Sequence, residues 1–276
     1  MKRFLKYFTL VALSLSLMSA TGMRKRKPTL VLIETQFGSM KVMLYNETPL
    51  HKENFVNLVK SHFYDSLLFH RVIEDFMIQG GDPESKGAPA GKTLGSGEHG
   101  EMLPAEFLPD KYHKRGALAA ARNNNPEKKS SGCQFYIVQG KVLSNKDLDH
   151  IEEQHNFSAK QKLLIDYLKT DASKADQQAL DKLQQQRNFA AFNHYCDSLV
   201  DHLIAINPEV KLFKFSQQQR ADYTNIGGAP HLDGEYTVFG EVIDGFNIID
   251  SIAAVETNRN DRPINDIIMK MRIVKK

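Results

Sequence analysis

The sequence predicts a mainly β protein: a closed antiparallel sheet interrupted by an α-helical insertion. Three observations carry that prediction. Short runs rich in β-branched and apolar residues recur through residues 29–141 and resume after Glu235. Glycine-bearing loops separate them, which favours an antiparallel sheet over βαβ units. Between 142 and 226 the composition shifts to Gln, Lys, Asp and Leu, with almost no strand pattern.

Taken in order, Leu30 to Thr35 and Met40 to Tyr45 flank the turn Gln36-Phe37-Gly38-Ser39, a hairpin signal. Thr48-Pro49 opens a helix, with Pro near its first turn. Phe55, Leu58, Val59, His62 and Phe63 then fall on one helical face. Leu67 to Ile73, Phe76 to Gly80, Gly116 to Ala121 and Gln134 to Gln139 read as further strands. In the insertion, Ser158 is positioned to cap a helix through Lys169. A longer helix is expected from Ser173 to Ile206, stopped by Asn207-Pro208. Its Phe192, Cys196, Leu199, Leu203 and Ile206 form one apolar stripe, so the pair is expected as an antiparallel helical hairpin. A strand at Tyr236–Phe239, a helix from Phe246 to Ala254 and a strand pattern over Pro263–Val274 complete the chain.

The amino-terminal stretch has a targeting character. Lys2, Arg3 and Lys6 precede an apolar run from Tyr7 to Met18 and then the small residues Ser19 to Gly22. That is the form of a secretory signal peptide over 1–22, with a basic linker over 23–28. The run is short of the ~20 residues that span a bilayer. Export, with a periplasmic destination, is the expectation; an uncleaved anchor facing the periplasm is the alternative, because Arg24–Lys27 follow so closely. The whole chain holds 36 Lys and Arg against 33 Asp and Glu. Three of the basic residues lie in the signal, so the remainder is balanced and has no net attraction for nucleic acid. Two cysteines, Cys133 and Cys196, do not make a disulfide framework.

No nucleophilic triad, metal-ligand spacing or phosphate loop stands out. His99 and His113 sit among loop residues, and His150 and His155 are five apart, off a common helix face. Gly95-x-Gly97 lacks the strand and glycine pattern of a nucleotide loop. The stretch that does stand out is Phe69-His70-Arg71-Val72-Ile73, then Phe76-Met77-Ile78-Gln79-Gly80-Gly81-Asp82. It resembles the signature of the cyclophilin family. Gly116 to Ala121, Ser131 to Ile137, and His231-Leu232-Asp233-Gly234-Glu235-Tyr236-Thr237-Val238-Phe239 resemble later segments of that family in the same chain order.

The resemblance implies an eight-stranded antiparallel barrel with a helix over each end, formed by 29–141 and 227–276, with 142–226 inserted. It also implies peptidyl-prolyl cis–trans isomerase activity on proline-containing polypeptides. Such a reaction needs no metal and no cofactor, because its ~18–20 kcal/mol barrier is amide resonance. Arg71 is then the guanidinium that stabilises the twisted amide nitrogen, and Gln79 orients it. Phe76, Met77, Tyr136 and Leu232 are expected to line the proline pocket. Ala121, Arg122 and Gln134 are expected to contact the peptide, and His70, His231 and Tyr236 to edge the pocket. Many family members have Trp where this chain has His231, and His where it has Tyr236. Arg122 stands for a frequent Asn, and Tyr136 for a frequent Phe. Loss of the indole predicts weaker binding of cyclosporin-type inhibitors. A different reading makes the protein a peptide-binding holdase, in which 142–226 contacts clients or partners and isomerisation is incidental.

Overall fold

The computed structural model describes residues 27–275, so the expected signal at 1–22 and most of the 23–28 linker lie outside the described residues. Strands β1 (Thr29–Thr35) and β2 (Gly38–Leu44) form the expected hairpin, in register from Thr29 opposite Leu44 to Thr35 opposite Gly38. Their alternating pattern buries Val31, Ile33, Met40 and Val42 on one face. Helix α1 (Pro49–Lys60) follows, with Pro in its first turn and His51, Phe55, Leu58 and Val59 buried. Its N-cap Thr48 makes no side-chain cap bond. The Glu106 carboxylate substitutes, accepting from the Leu50 and His51 backbone N–H groups at 3.1 and 3.0 Å.

The sheet continues through β3 (Phe69–Ile73), β4 (Met77–Gly80), β5 (Ala117–Ala120), β6 (Phe135–Val138), β7 (Val238–Asp244) and β8 (Lys270–Val274). The spatial order is β3-β4-β6-β5-β7-β2-β1-β8, and every ladder is antiparallel. The outer strands β3 and β8 share no ladder. The expected closed barrel is thus an open, curled half-barrel. One bridge, Leu68 to Ile268, crosses the seam, helped by backbone bonds such as Phe69 N–H to Ile267 O at 2.9 Å. Ser66 N–H also reaches Met269 O across this seam, at 3.0 Å.

Period-two alternation gives the sheet two buried faces. On one, Val31, Val42, Leu118, Phe135 and Ile137 pack against α1 and against α6 (Phe246–Ala253). On the other, Met77, Ala117, Ala119, Tyr136, Val138 and Val238 gather with Phe76, Leu232 and Tyr236. That second face carries the site.

The helical region between β6 and β7 differs from the expected hairpin. Helix α2 spans Asn145–Leu168, opened by a capping box between Ser144 and Asp147; Ser158 is an interior, exposed position. The long helix expected from Ser173 to Ile206 is two helices, α3 (Lys174–Gln185) and α4 (Phe189–Ile206). Arg187 takes the left-handed φ of +54°, ending α3, and the Asn188 side chain caps α4 through Ala191 N–H at 3.2 Å. Helix α5 (Gln217–Asn225), capped by Ser216 and Gln219, was not expected at all. Helices α2 and α3 both pack on α4. Leu148, Phe215 and Tyr223 form a small core with Tyr112 of the sheet domain.

Candidate active site

Strand register assembles the site. Arg71 lies opposite Gln79, Gln79 opposite Tyr136, and Tyr136 opposite Ala119, one row across β3, β4, β6 and β5. Residues in such a row share a face and are near neighbours. Beside the row lies a cavity of about 400 Å³, lined by nine of the sequence-predicted residues: Arg71, Phe76, Met77, Gln79, Ala121, Arg122, Tyr136, Leu232 and Tyr236.

Arg71 is held from two sides. Its Nη1 donates to Gln79 Oε1 at 3.3 Å and its Nε to Asp261 Oδ2 at 3.4 Å. The Gln79 amide in turn donates to Gln134 Oε1 at 3.1 Å. Gln134 Nε2 donates to the carbonyls of Gly95 and Gly97 at 3.0 and 2.8 Å. The amide of Gln134 is therefore engaged within the protein, and this residue acts behind Gln79, where the sequence reading had it bonding the peptide.

The loop Thr93–Ser96 also lines the cavity, and sequence reasoning missed it. Asp82, fully buried, fixes it by accepting from Gly95 N–H at 2.5 Å, while its other oxygen takes Glu84 N–H at 2.7 Å. A Cβ on Gly97 would lie 2.1 Å from Asp82 Oδ1, so glycine is required there. The pattern Gly95-x-Gly97 was the available signal: it marks close approach of backbone to a buried carboxylate.

His70 is not at the rim. The register shift between Phe69 and Arg71 falls on it, and the bulge turns its ring inward. It is 2% exposed, and neither ring nitrogen has a hydrogen-bond partner. Burial lowers its pKa to about 4. His231 does remain at the edge, exposed, with its ring 5.5 Å from that of Phe76. Arg122 covers Tyr236, its guanidinium 4.7 Å from the ring centroid, and bonds Glu235 through Nε to the carbonyl (2.9 Å) and Nη2 to the carboxylate (3.1 Å).

Beneath the cavity floor, His113 joins residues far apart in sequence. Its Nε2 lies 2.9 Å from Tyr136 Oη, and its Nδ1 and backbone N lie 2.9 Å from Asp233 Oδ1. Burial pushes the Tyr136 hydroxyl well above its ordinary pKa.

Elsewhere, Glu106, His51 and Ser130 make a carboxylate–imidazole–hydroxyl line, at 2.7 and 3.0 Å. It has the connectivity of a hydrolytic triad. Yet Ser130 is 1% exposed, and the adjoining void of about 10 Å³ holds no substrate. The Glu106 carboxylate of this line caps α1. Both cysteines are free, and burial raises the Cys133 thiol to about 11, far from a reactive thiolate.

Known proteins resemble this chain in sequence and in fold. Residues 30–159 and 218–273 match the family described as cyclophilin type peptidyl-prolyl cis-trans isomerase/CLD. A Staphylococcus aureus protein named "Putative peptidyl-prolyl cis-trans isomerase" is 29% identical over 241 residues, covering 87% of this chain and 88% of its own. A Streptococcus pyogenes protein, "Putative bifunctional phosphatase/peptidyl-prolyl cis-trans isomerase", is 30% identical over 243 residues; the chain spans 37% of that relative's length. The crystal structure of a Cryptosporidium parvum cyclophilin type isomerase covers 90% of this chain and 99% of its own, with a TM-score of 0.51 and 21% identity. Fold and sequence agree, and the chain belongs to the cyclophilin-type peptidyl-prolyl cis–trans isomerase family.

Proposed function

We propose that the cavity seats the proline ring of an X–Pro bond and that Arg71 lowers the barrier to rotation, acting on polypeptides outside the cytoplasm. The observation that carries this is the placement of Arg71. It faces a hollow lined by Phe76, Met77, Tyr136 and Leu232, while Gln79 and Asp261 hold its direction.

As the C–N bond twists, conjugation breaks and lone-pair density collects on the proline nitrogen. A fixed N–H donor aimed there binds the twisted amide better than the planar one, which is the condition for catalysis. The planar guanidinium keeps its direction in a way an ammonium does not. Apolar walls remove water, which strengthens that hydrogen bond. Arg71→Ala is expected to lower kcat/KM on a short X–Pro peptide by about 10²-fold or more, the scale for losing one transition-state donor. A rate equal to that of the parent protein overturns the assignment.

In this reading residues 29–141 and 227–276 form the isomerase unit, and 142–226 is an accessory region. The signal-like pattern of residues 1–22 supports export. Among the described residues no helix is long and apolar enough to cross a membrane. Fractionating cells that express the full chain tests this: recovery in the cytosol alone defeats it.

One observation favours a second reading, client holding by the inserted helices. Phe157, Ile165, Phe189 and Ile206 are each more than half exposed there. If they hold clients, Phe157→Ser with Phe189→Ser abolishes aggregation suppression and leaves peptide isomerisation intact; unchanged suppression rejects it.

A further inference from the structure

We infer that helix α5, which lies between β6 and β7, is a positioning element for the isomerisation pocket, acting through Tyr223 and Asp233; this rests on the reading of the cavity given above. The connection is a continuous buried line. Tyr223 Oη donates to Asp233 Oδ2 at 2.6 Å. Asp233 Oδ1 accepts from the backbone N–H and Nδ1 of His113, both at 2.9 Å, and His113 Nε2 lies 2.9 Å from Tyr136 Oη. Exposure is 0% for Tyr223, 6% for Asp233, 1% for His113 and 4% for Tyr136.

The geometry assigns roles along the line. Asp233 Oδ1 holds His113 through Nδ1, and His113 Nε2 holds the Tyr136 hydroxyl at its far end. Tyr136 therefore turns its polar end away from the cavity and offers its ring as floor. Asp233 also directly follows Leu232, another cavity residue. One carboxylate thus anchors two walls of the pocket, and the oxygen not taken by His113 is held from α5. Buried carboxylates demand full partnership, so loss of one donor disturbs the others.

The approach of α5 is built into the backbone. The Tyr223 ring lies so near Gly228 that a Cβ there would stand 2.6 Å from Tyr223 Cε1 and 2.4 Å from His113 O. Next along the chain, Ala229 N–H donates to His113 O at 2.8 Å. Tyr223 is also packed among Tyr112 and Phe215. A Tyr223→Phe substitution keeps those ring contacts and removes only the donor to Asp233.

The test uses the full chain and a short X–Pro peptide, comparing Tyr223→Phe, Tyr136→Phe, the double variant and Arg71→Ala. Tyr223→Phe is expected to raise KM about fivefold with kcat nearly unchanged, because a misplaced floor weakens binding of ground and transition states alike. The double variant should be no worse than the weaker single one, since both break one network. A merely structural role predicts a lower melting temperature with the parent KM, and independent sites predict multiplied losses; either result overturns the coupling. Arg71→Ala separates the two readings: its loss of rate beside an unaffected Tyr223→Phe defeats the coupling alone, whereas its full rate defeats the pocket assignment itself. If Tyr223→Phe does not fold, the parent protein answers: saturating peptide should shift the Tyr223 ring resonances, by the reciprocity of linked sites. An unmoved Tyr223 signal overturns the inference.

Discussion

Arg71 is 42% exposed at its side chain, yet two acceptors of different worth define its direction. Asp261, equally exposed, meets Nε only at 3.4 Å, so its ion pair is screened and weak. Gln79 lies opposite Arg71 in the strand register and is itself fixed by Gln134. Gln79→Leu should therefore cost roughly tenfold in kcat/KM, a loss of about 1.4 kcal/mol. Asp261→Asn should cost about threefold or less, measured in the same peptide assay.

His70 makes a separate prediction. In the fold its pKa is near 4, against an ordinary 6.5. Between those values the unfolded chain binds the proton and the folded chain does not, so stability rises with pH across that window. The contribution is present in full above pH 6.5, and as pH falls to 4 it is lost, by up to roughly 3 kcal/mol. Burial lowers His51 as well, in the same sense. Urea unfolding of the parent and of His70→Phe at pH 7 and pH 4.5 checks this: the parent should lose more than the variant.

At the scale of elements, the strands were legible and the inserted helices were not. β1 carries the apolar run Leu30–Ile33, β2 alternates along its length, and a two-residue loop forces their register. Over 173–206 the helical periodicity runs on through Gln186-Arg187-Asn188, because nothing there is Gly or Pro. Arg187 nonetheless adopts a left-handed conformation that glycine occupies without a Cβ penalty. Arg187→Gly should stabilise the protein by ~0.5–1 kcal/mol, read as a higher urea midpoint at constant m-value. A lower midpoint would show that the Arg187 side chain contributes more than its backbone costs. The start of α2 was missed for another reason. Ser144 and Asp147 do form a capping box, but the residues after them are polar enough that periodicity hides the helix.

At the scale of the molecule, the helical segment between β6 and β7 leaves and rejoins the sheet at one point. Lys141 and Gly228 form a bridge, and Gly228 N–H donates to Lys141 O at 3.1 Å. A short linker can therefore replace 142–226 without moving the strands. The shortened chain should fold, since the main core draws on residues outside that region. It should show the KM increase expected of Tyr223→Phe, because Asp233 loses the same donor. Retention of the parent KM in a folded protein would mean that the sheet domain holds Asp233 unaided. The same bridge explains why the sheet domain reads as one unit despite the interruption: chain continuity is broken while spatial continuity is not.

The sequence by itself determined the strand-rich architecture, the family signature and most of the cavity lining. The architecture rests on short strand runs separated by glycine-bearing loops, and the cavity lining on the resemblance of segments such as Phe69–Asp82 to the family signature. Only tertiary structure decided that the sheet stays open between β3 and β8, that His70 turns inward, and that His113, Asp233 and Tyr223 meet under Tyr136. Each depends on contacts between segments remote along the chain: a seam, a bulge set by cross-strand register, and a hydrogen-bond line whose members span more than a hundred positions. Local periodicity carries no information about such meetings, because packing and the need to satisfy buried polar groups settle them together.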